Sequence, residues 1–249
     1  MKRLILLFTL ALSANLFAAV EDFNFGIVIN NSKYHIYRSS SLGTQGIDDV
    51  WNYLKKNNLP TPKTIIYMND EGYKSRFLSE DFALQEYALQ EKYGFKMFHS
   101  FDYKYRTYLD GHDPYNPSED IDLKDNLNSA ALKLFGPNPK DGIDGGVEAL
   151  NRILDLVLDP ASQPVLIHCM GGKHRTGMVA MIVRYLESDK ASDVIGTDSV
   201  LKSRAEVEYG KYTGRSSVRS ENVDFVRKYI KSEKFIDYKN KFRIDLSSK

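Results

Sequence analysis

Residues 165–177 constrain the fold of this chain more than any other segment. Residues 165–167 form a short apolar run, as expected of a buried strand. Gly171 and Gly172 follow, and apolar residues then recur at helical spacing over residues 176–187. A strand, a tight glycine-containing loop and a helix start in this order bring backbone N–H groups together at the positive end of a helix dipole. This order predicts an anion-binding site.

The only cysteine of the sequence, Cys169, lies at the floor of this predicted loop. A helix N-terminus and nearby cations favour the thiolate form, so we expect Cys169 to act as a nucleophile. Arg175 follows six positions later and offers a planar fork of donors to two phosphoryl oxygens. Thr176 has a hydroxyl that can donate to the sulfur, and His168 is a candidate for orienting the loop through the backbone.

The remaining loop residues form the predicted phosphate cradle. They are Met170, Gly171, Gly172, Lys173 and His174. The glycines let the backbone turn inward without a clash of Cβ atoms. The alternative is a buried structural cysteine beside a solvated basic loop, but the glycines, the arginine and the flanking elements all favour a site.

The pattern His-Cys-x-x-Gly-x-x-Arg-Thr-Gly over residues 168–177 resembles the signature of the cysteine-dependent protein tyrosine phosphatase superfamily. Its ending, residues 172–177, is similar to that of atypical dual-specificity phosphatases acting on inositol pyrophosphates and of tyrosine-phosphatase-like phytases. Residues 36–40 more weakly resemble the N-terminal Tyr-Arg-Ser entry of that family. The resemblance implies a phosphocysteine intermediate and inositol polyphosphates, such as inositol hexakisphosphate, as substrates.

The resemblance also implies an aspartate that protonates the leaving alcohol, placed on a loop before the helix that precedes the cysteine strand. Asp141 is the aspartate that this loop offers. Asp110 and Asp113, in an aromatic-rich segment, are alternatives. Asp144 is better explained as the cap of the next helix.

An inositol polyphosphate needs more cationic donors than one phosphoryl loop provides. Arg38, at the predicted end of the first strand, is a candidate for facing the same opening. Further candidates, for which a solvated surface position is the alternative, are Lys104, Arg106, Arg204, Lys211 and Arg215.

The N-terminus has the layout of a secretory signal peptide. Lys2 and Arg3 precede an apolar run over residues 4–12, and small residues follow near Ala18. A membrane anchor needs roughly 20 apolar residues, and this run is shorter. We therefore expect residues 1–18 to be removed and residues 19–249 to form a soluble phosphatase domain, periplasmic or secreted.

Strand-like runs alternate with amphipathic stretches along the chain. The runs cover residues 35–38, 64–68, 95–101 and 165–168, and later helices are expected over residues 118–134 and 144–158. This alternation predicts a single α/β domain with a mostly parallel central sheet flanked by helices, like that of tyrosine phosphatases.

Charge and composition limit the partners. The 34 Lys and Arg residues nearly balance the 33 Asp and Glu residues, which disfavours a general nucleic-acid binder. A small polyanionic phosphorylated substrate is the expected partner, with no membrane anchor. The five histidines show no metal-ligand spacing, so neither a metal nor another cofactor is expected. The sequence carries no signal for an oligomeric state.

Two other functions fit the same residues. An exported protein tyrosine or dual-specificity phosphatase would have a deep, ring-sized cleft with few cations around it. A phosphate-binding pseudophosphatase module would not require Cys169, Arg175 and Thr176 together, because binding alone needs no thiolate. Sulfur-transfer and arsenate-reducing enzymes fit less well, since the sequence has no second cysteine to resolve an intermediate.

Overall fold

One five-stranded sheet forms the centre of the computed structural model, which describes residues 20–68, 85–99, 147–195 and 198–247. The strands are β1 (Gly26–Asn30), β2 (His35–Ser39), β3 (Thr64–Tyr67), β4 (Lys96–His99) and β5 (Val165–His168). Their order is β1-β2-β5-β3-β4. β1 runs antiparallel to β2, and the other neighbours are parallel. The predicted mostly parallel sheet is confirmed, and β1 is an antiparallel edge strand that the sequence did not indicate.

Helices flank the sheet. They are α1 (Gly43–Lys56), α2 (Gln90–Tyr93), α3 (Val147–Val157), α4 (His174–Glu187), α5 (Arg204–Thr213), α6 (Ser220–Tyr229) and α7 (Glu233–Ser247). Short 3-10 turns occur at Pro160–Ser162, Asp189–Ser192 and Arg215–Ser217. The described part of the expected helix 144–158 is α3, whereas the expected helix 118–134 lies outside the described residues. Residues 85–88 are also helical and lead into α2.

Side chains of the central strands alternate between two hydrophobic clusters, because successive strand residues point to opposite faces of a sheet. One cluster packs against α3 to α7 and takes from these strands Ile36, Ile66, Val165 and Ile167. The other packs against α1 and takes Tyr37, Ile65 and Leu166. Helices therefore cover both faces of the sheet, as a parallel arrangement requires.

The register of the parallel strands brings three chain segments to one edge of the sheet. His168 at the end of β5 lies beside Ser39 of β2 on one side and Tyr67 of β3 on the other. The segments that leave these three strands therefore meet where ligands bind in open α/β sheets. Cys169 is the first residue after β5.

Within the described ranges, no helix combines the length and the apolar character that crossing a bilayer requires.

Leu166 tests the packing of the central strand against α1. Its side chain is fully buried, so Leu166→Ala should leave a cavity and lower the free energy of unfolding by about 2–5 kcal/mol. Urea unfolding followed by circular dichroism measures this loss. Val194→Ala, at a side chain that is 75% exposed, is the control and should change stability by less than about 0.5 kcal/mol. Equal losses in both variants would contradict the described core.

Candidate active site

The turn between β5 and α4, residues 169–173, is named the Cys169 loop here. Cys169 is 7% exposed at the start of the turn. α4 begins at His174, two residues before the start that apolar spacing indicates, so Arg175 and Thr176 both lie in its first turn. The nucleophile candidate, the arginine and the helix N-terminus therefore occupy one corner of the molecule.

Groups outside the Cys169 loop hold the backbone carbonyl oxygens along it. The Oγ of Ser41 donates to Cys169 O at 3.4 Å and its N–H donates to Met170 O at 2.9 Å. The Nδ2 of Asn24 donates to Gly171 O and Gly172 O, each at 3.3 Å. One position earlier, the N–H of Met68 donates to His168 O at 2.7 Å.

This arrangement fixes the direction of the loop N–H groups. In a planar trans peptide the C=O of one residue points away from the N–H of the next. Because the carbonyls of residues 169–172 are held by the scaffold, the N–H groups of residues 170–173 face the opposite side, toward the centre of the loop. Converging backbone N–H groups at a helix N-terminus form an anion-binding cradle. The loop geometry is therefore suited to binding an anion.

Gly172 carries the sharpest backbone requirement of the loop. Its φ is +61°, and a Cβ built there would lie 2.5 Å from the carbonyl oxygen of Ser39. A side chain would thus meet both an unfavourable conformation and rigid backbone. Gly171 differs, because a Cβ there would find its nearest neighbour, Lys173 Cγ, at 4.0 Å.

Arg38 lies behind the loop rather than at its opening. Its guanidinium donates to Gly172 O, stacks at 4.0 Å from the ring centroid of Tyr212, and is 2% exposed. Burial lowers the pKa of Arg38 to about 10, so the group keeps its charge at neutral pH. The described hydrogen bond of Arg38 therefore supports the loop backbone at Gly172.

Arg175 and Thr176 occupy different environments on the first turn of α4. Arg175 is half-buried, and its Nη1 donates to Met68 O at 3.2 Å, which directs the side chain toward the end of β3. Thr176 is fully buried, and its hydroxyl has no hydrogen-bond partner within the described chain. A buried hydroxyl costs free energy unless it is bonded, so Thr176 is a candidate donor to a bound ligand.

His168 pairs with an acid that motif analysis did not identify. Its Nε2 lies 3.0 Å from Glu86 Oε2, and both side chains are fully buried. Glu86 Oε1 accepts from the N–H groups of Leu42 at 2.6 Å and Gly43 at 3.1 Å. Burial alone would raise the pKa of Glu86, but His168 and the two backbone donors outweigh it, and the pKa is lowered. Glu86 is therefore ionised.

The other predicted site residues are spread over the molecule. Met170 is 42% exposed, Lys173 is exposed and His174 is partly exposed, so these three side chains are accessible to solvent. Arg204 pairs with Asp193 at 3.7 Å on the surface. The aspartate candidates Asp141, Asp110, Asp113 and Asp144 lie outside the described residues, as do Lys104, Arg106 and the predicted signal segment.

A cavity of about 220 Å³ lies between β1, α4 and α5, where Arg38 and Tyr212 reach it from the back of the Cys169 loop. Lys211, an exposed residue, also lines this cavity behind the loop. Arg215, in the short 3-10 turn after α5, is exposed.

Three supporting residues, Asn24, Ser41 and Glu86, were not found by sequence reasoning. Glu86 stands between Gln85 and Tyr87, and nothing in this local sequence indicates a buried acid. Asn24 and Ser41 carry no motif at all. Asn24 has a positive φ of 51°, which a sequence does not reveal.

Comparison with known proteins places this geometry in a family. The model of the Tyrosine phosphatase family matches residues 19–244. Among curated proteins, the inositol diphosphatase SIW14 of Saccharomyces cerevisiae is 51% identical over 39 residues, which cover 16% of this chain and 14% of that protein. The rice (Oryza sativa subsp. japonica) inositol diphosphatase DSP1 is 48% identical over 69 residues, 24% of this chain and 29% of the rice protein. The matches thus span less than a third of these relatives.

A solved structure supports the fold. The core catalytic domain of the S. cerevisiae PP-IP phosphatase SIW14, in complex with citrate, aligns with a TM-score of 0.50 and 21% identity. The alignment covers 88% of this chain and 93% of the yeast domain. With the family match over residues 19–244, these findings show that the chain belongs to the tyrosine phosphatase family, whose members are cysteine-based phosphatases.

Proposed function

We propose that this protein hydrolyses phosphomonoesters through a phosphocysteine intermediate, with inositol polyphosphates as its substrates. The observation that carries the proposal is the Cys169 loop, in which the carbonyls are held outward around a buried cysteine. The inward N–H groups of residues 170–173 bind the phosphoryl oxygens. Arg175, on the adjoining helix turn, stabilises the charge that develops on the equatorial oxygens.

The reaction takes two displacements at phosphorus. The Cys169 thiolate attacks, the S–P bond forms and the ester P–O bond breaks, and the general acid donates a proton to the departing alcohol. Water then attacks the phosphocysteine, the former acid takes a proton from that water, and inorganic phosphate and the thiolate are released. Thr176 donates its buried hydroxyl to the sulfur as the S–P bond breaks.

Asp141 is proposed as the general acid. In the resembled family this residue stands on a loop before the helix that precedes the cysteine strand, and Asp141 precedes α3 in this chain. Asp110 and Asp113 are the alternatives that the same experiment separates.

The preference for inositol polyphosphates rests on two supports. The first is the similarity of residues 172–177 to phosphatases of phosphorylated inositols. The second is that curated relatives of this chain are named inositol diphosphatases. Lys173 is an exposed residue of the loop, and we propose that it binds phosphates other than the reacting one.

We also propose that the protein is exported. The basic start, the apolar run over residues 4–12 and the small residues near Ala18 support cleavage of residues 1–18. The family match begins at residue 19, directly after the proposed cleavage position. N-terminal sequencing of protein recovered outside the cytoplasm is the direct measurement.

The substrate class is tested with residues 19–249. We expect phosphate release from inositol hexakisphosphate to be faster than from a phosphotyrosine peptide, measured as kcat/KM by phosphate assay. Cys169→Ser is the control and should abolish turnover of both, because serine is a poor nucleophile at its ordinary protonation state. Preference for the peptide would establish a protein phosphatase, and binding of phosphate without turnover would establish a binding module.

Gly172 tests the loop geometry. Gly172→Ala should lower kcat/KM for an aryl phosphate by about 100-fold or more, since a small displacement of the converging N–H groups misplaces the phosphoryl group. Gly171→Ala is the matched control, because its Cβ meets open space and its φ is not positive. The geometry would be contradicted by similar activity in both variants, provided circular dichroism shows that both are folded.

The general acid is tested by leaving-group dependence. Asp141→Asn should lower kcat most for alkyl phosphates, whose alcohols need protonation, and least for aryl phosphates, whose anions leave unaided. Steady-state kinetics on the two substrate types measures the ratio. An equal loss on both would assign the role to another aspartate, and Asp110→Asn and Asp113→Asn are the next variants.

A further inference from the structure

Glu86 and His168 form a buried pair directly before the Cys169 loop. Both side chains are fully buried, and the Nε2 to Oε2 distance is 3.0 Å. The ring of His168 also packs against Tyr67, with ring centroids 5.0 Å apart. An ionised carboxylate can only accept, so Oε2 at 3.0 Å favours the form of His168 that carries a hydrogen on Nε2.

Glu86 also binds the chain at the start of α1. Its Oε1 accepts the N–H groups of Leu42 and Gly43, which have no partner inside the helix because they lie at its first positions. Leu42 follows Ser41, the residue that holds the carbonyls of Cys169 and Met170. The Glu86 carboxylate therefore links Leu42, which follows Ser41, to His168, which precedes Cys169.

We propose that Glu86 is a positioning residue for the Cys169 loop, fixing His168 with its hydrogen on Nε2 and holding the Ser41 segment against the loop. The inference rests on the proposed phosphatase function, which Glu86 serves without touching substrate. Glu86 links the segment of Ser41 to the segment of Cys169, and these two segments also hydrogen-bond to each other. We therefore expect loss of the Glu86 carboxylate to displace Cys169 while the fold is retained.

Glu86→Gln is the informative variant because it keeps the size of the side chain. The amide oxygen can still accept from Leu42 and Gly43, but the amide nitrogen is a donor that faces a donor on His168 Nε2. The imidazole must then move its hydrogen to Nδ1 or lose the contact. We expect kcat for an aryl phosphate to fall by about 100-fold, as for a catalytic group displaced by about 1 Å, with KM changed less than about twofold.

Glu206→Gln is the matched control. Glu206 is also buried, accepts backbone N–H groups of Lys202 and Ser203 at the start of a helix, and pairs with a cation, Arg227, at 2.7 Å. Its capping box belongs to α5 and makes no described hydrogen bond to the Cys169 loop. Glu206→Gln should lower the melting temperature with little change in kcat per folded molecule.

Nitrogen NMR of ¹⁵N-histidine-labelled protein gives a second readout that needs no variant to fold. The five histidines make assignment practical, and the unsubstituted protein should show His168 protonated at Nε2. A kcat loss in Glu86→Gln with a retained melting temperature, together with this signal, supports the proposal. The proposal is overturned by an unprotonated Nε2 in the unsubstituted protein, by unchanged kcat in Glu86→Gln, or by a loss that only matches the unfolded fraction.

The choice of substrate separates this inference from the proposed function. An aryl phosphate tests the loop chemistry without any demand on inositol recognition. Activity on the aryl phosphate with none on inositol hexakisphosphate would reject the proposed substrate and still allow the test of Glu86. A protein inactive on both would reject the proposed function, and the NMR signal of His168 would then decide whether Glu86 fixes the ring.

Discussion

The site depends on the hydrogen bonds that keep the carbonyl oxygens of the Cys169 loop pointing outward. A five-residue turn has no internal reason to point its N–H groups toward one centre, because its peptide planes are free to rotate. Here Ser41 and Asn24 hold four successive carbonyls from the scaffold side. The parallel register of β2 and β5 makes this possible, since it brings the chain after β2 beside the chain after β5.

A buried charge reinforces the same loop from behind. Arg38 is almost inaccessible, and within the described residues no carboxylate lies within ion-pair distance of it. Gly172 O and the face of the Tyr212 ring compensate part of its desolvation, although burial still lowers the pKa of Arg38 to about 10. Arg38 was expected at the opening because its chain position, at the end of β2, is correct for the site. The sequence does not determine the side of the loop from which the guanidinium approaches.

The residues that carry local signals were predictable, and those joined by long-range contacts were not. Cys169, the glycines and Arg175 lie close together in the sequence, between a strand-like run and a stretch with helical periodicity. The loop and its place at the edge of the sheet could therefore be predicted. The apolar pattern begins two residues after the start of α4, because the first turn of this helix is polar and lies beside the site. Asn24 contacts residues 147 and 148 positions away, and no spacing in a single sequence reveals such a pair.

The backbone of the Cys169 loop and the side chains around its rim have different roles in the proposed function. Under the proposed function, the inward N–H groups and Arg175 recognise the phosphoryl group and make no contact with the alcohol that carries it. Substrate choice then comes from exposed side chains at the rim of the loop, such as Met170 and Lys173 in the described part. The positioning role proposed for Glu86 concerns the loop itself, because Glu86 contacts His168 and the start of α1. Changes behind the loop should alter all substrates alike, whereas changes at the rim should alter the preference among them.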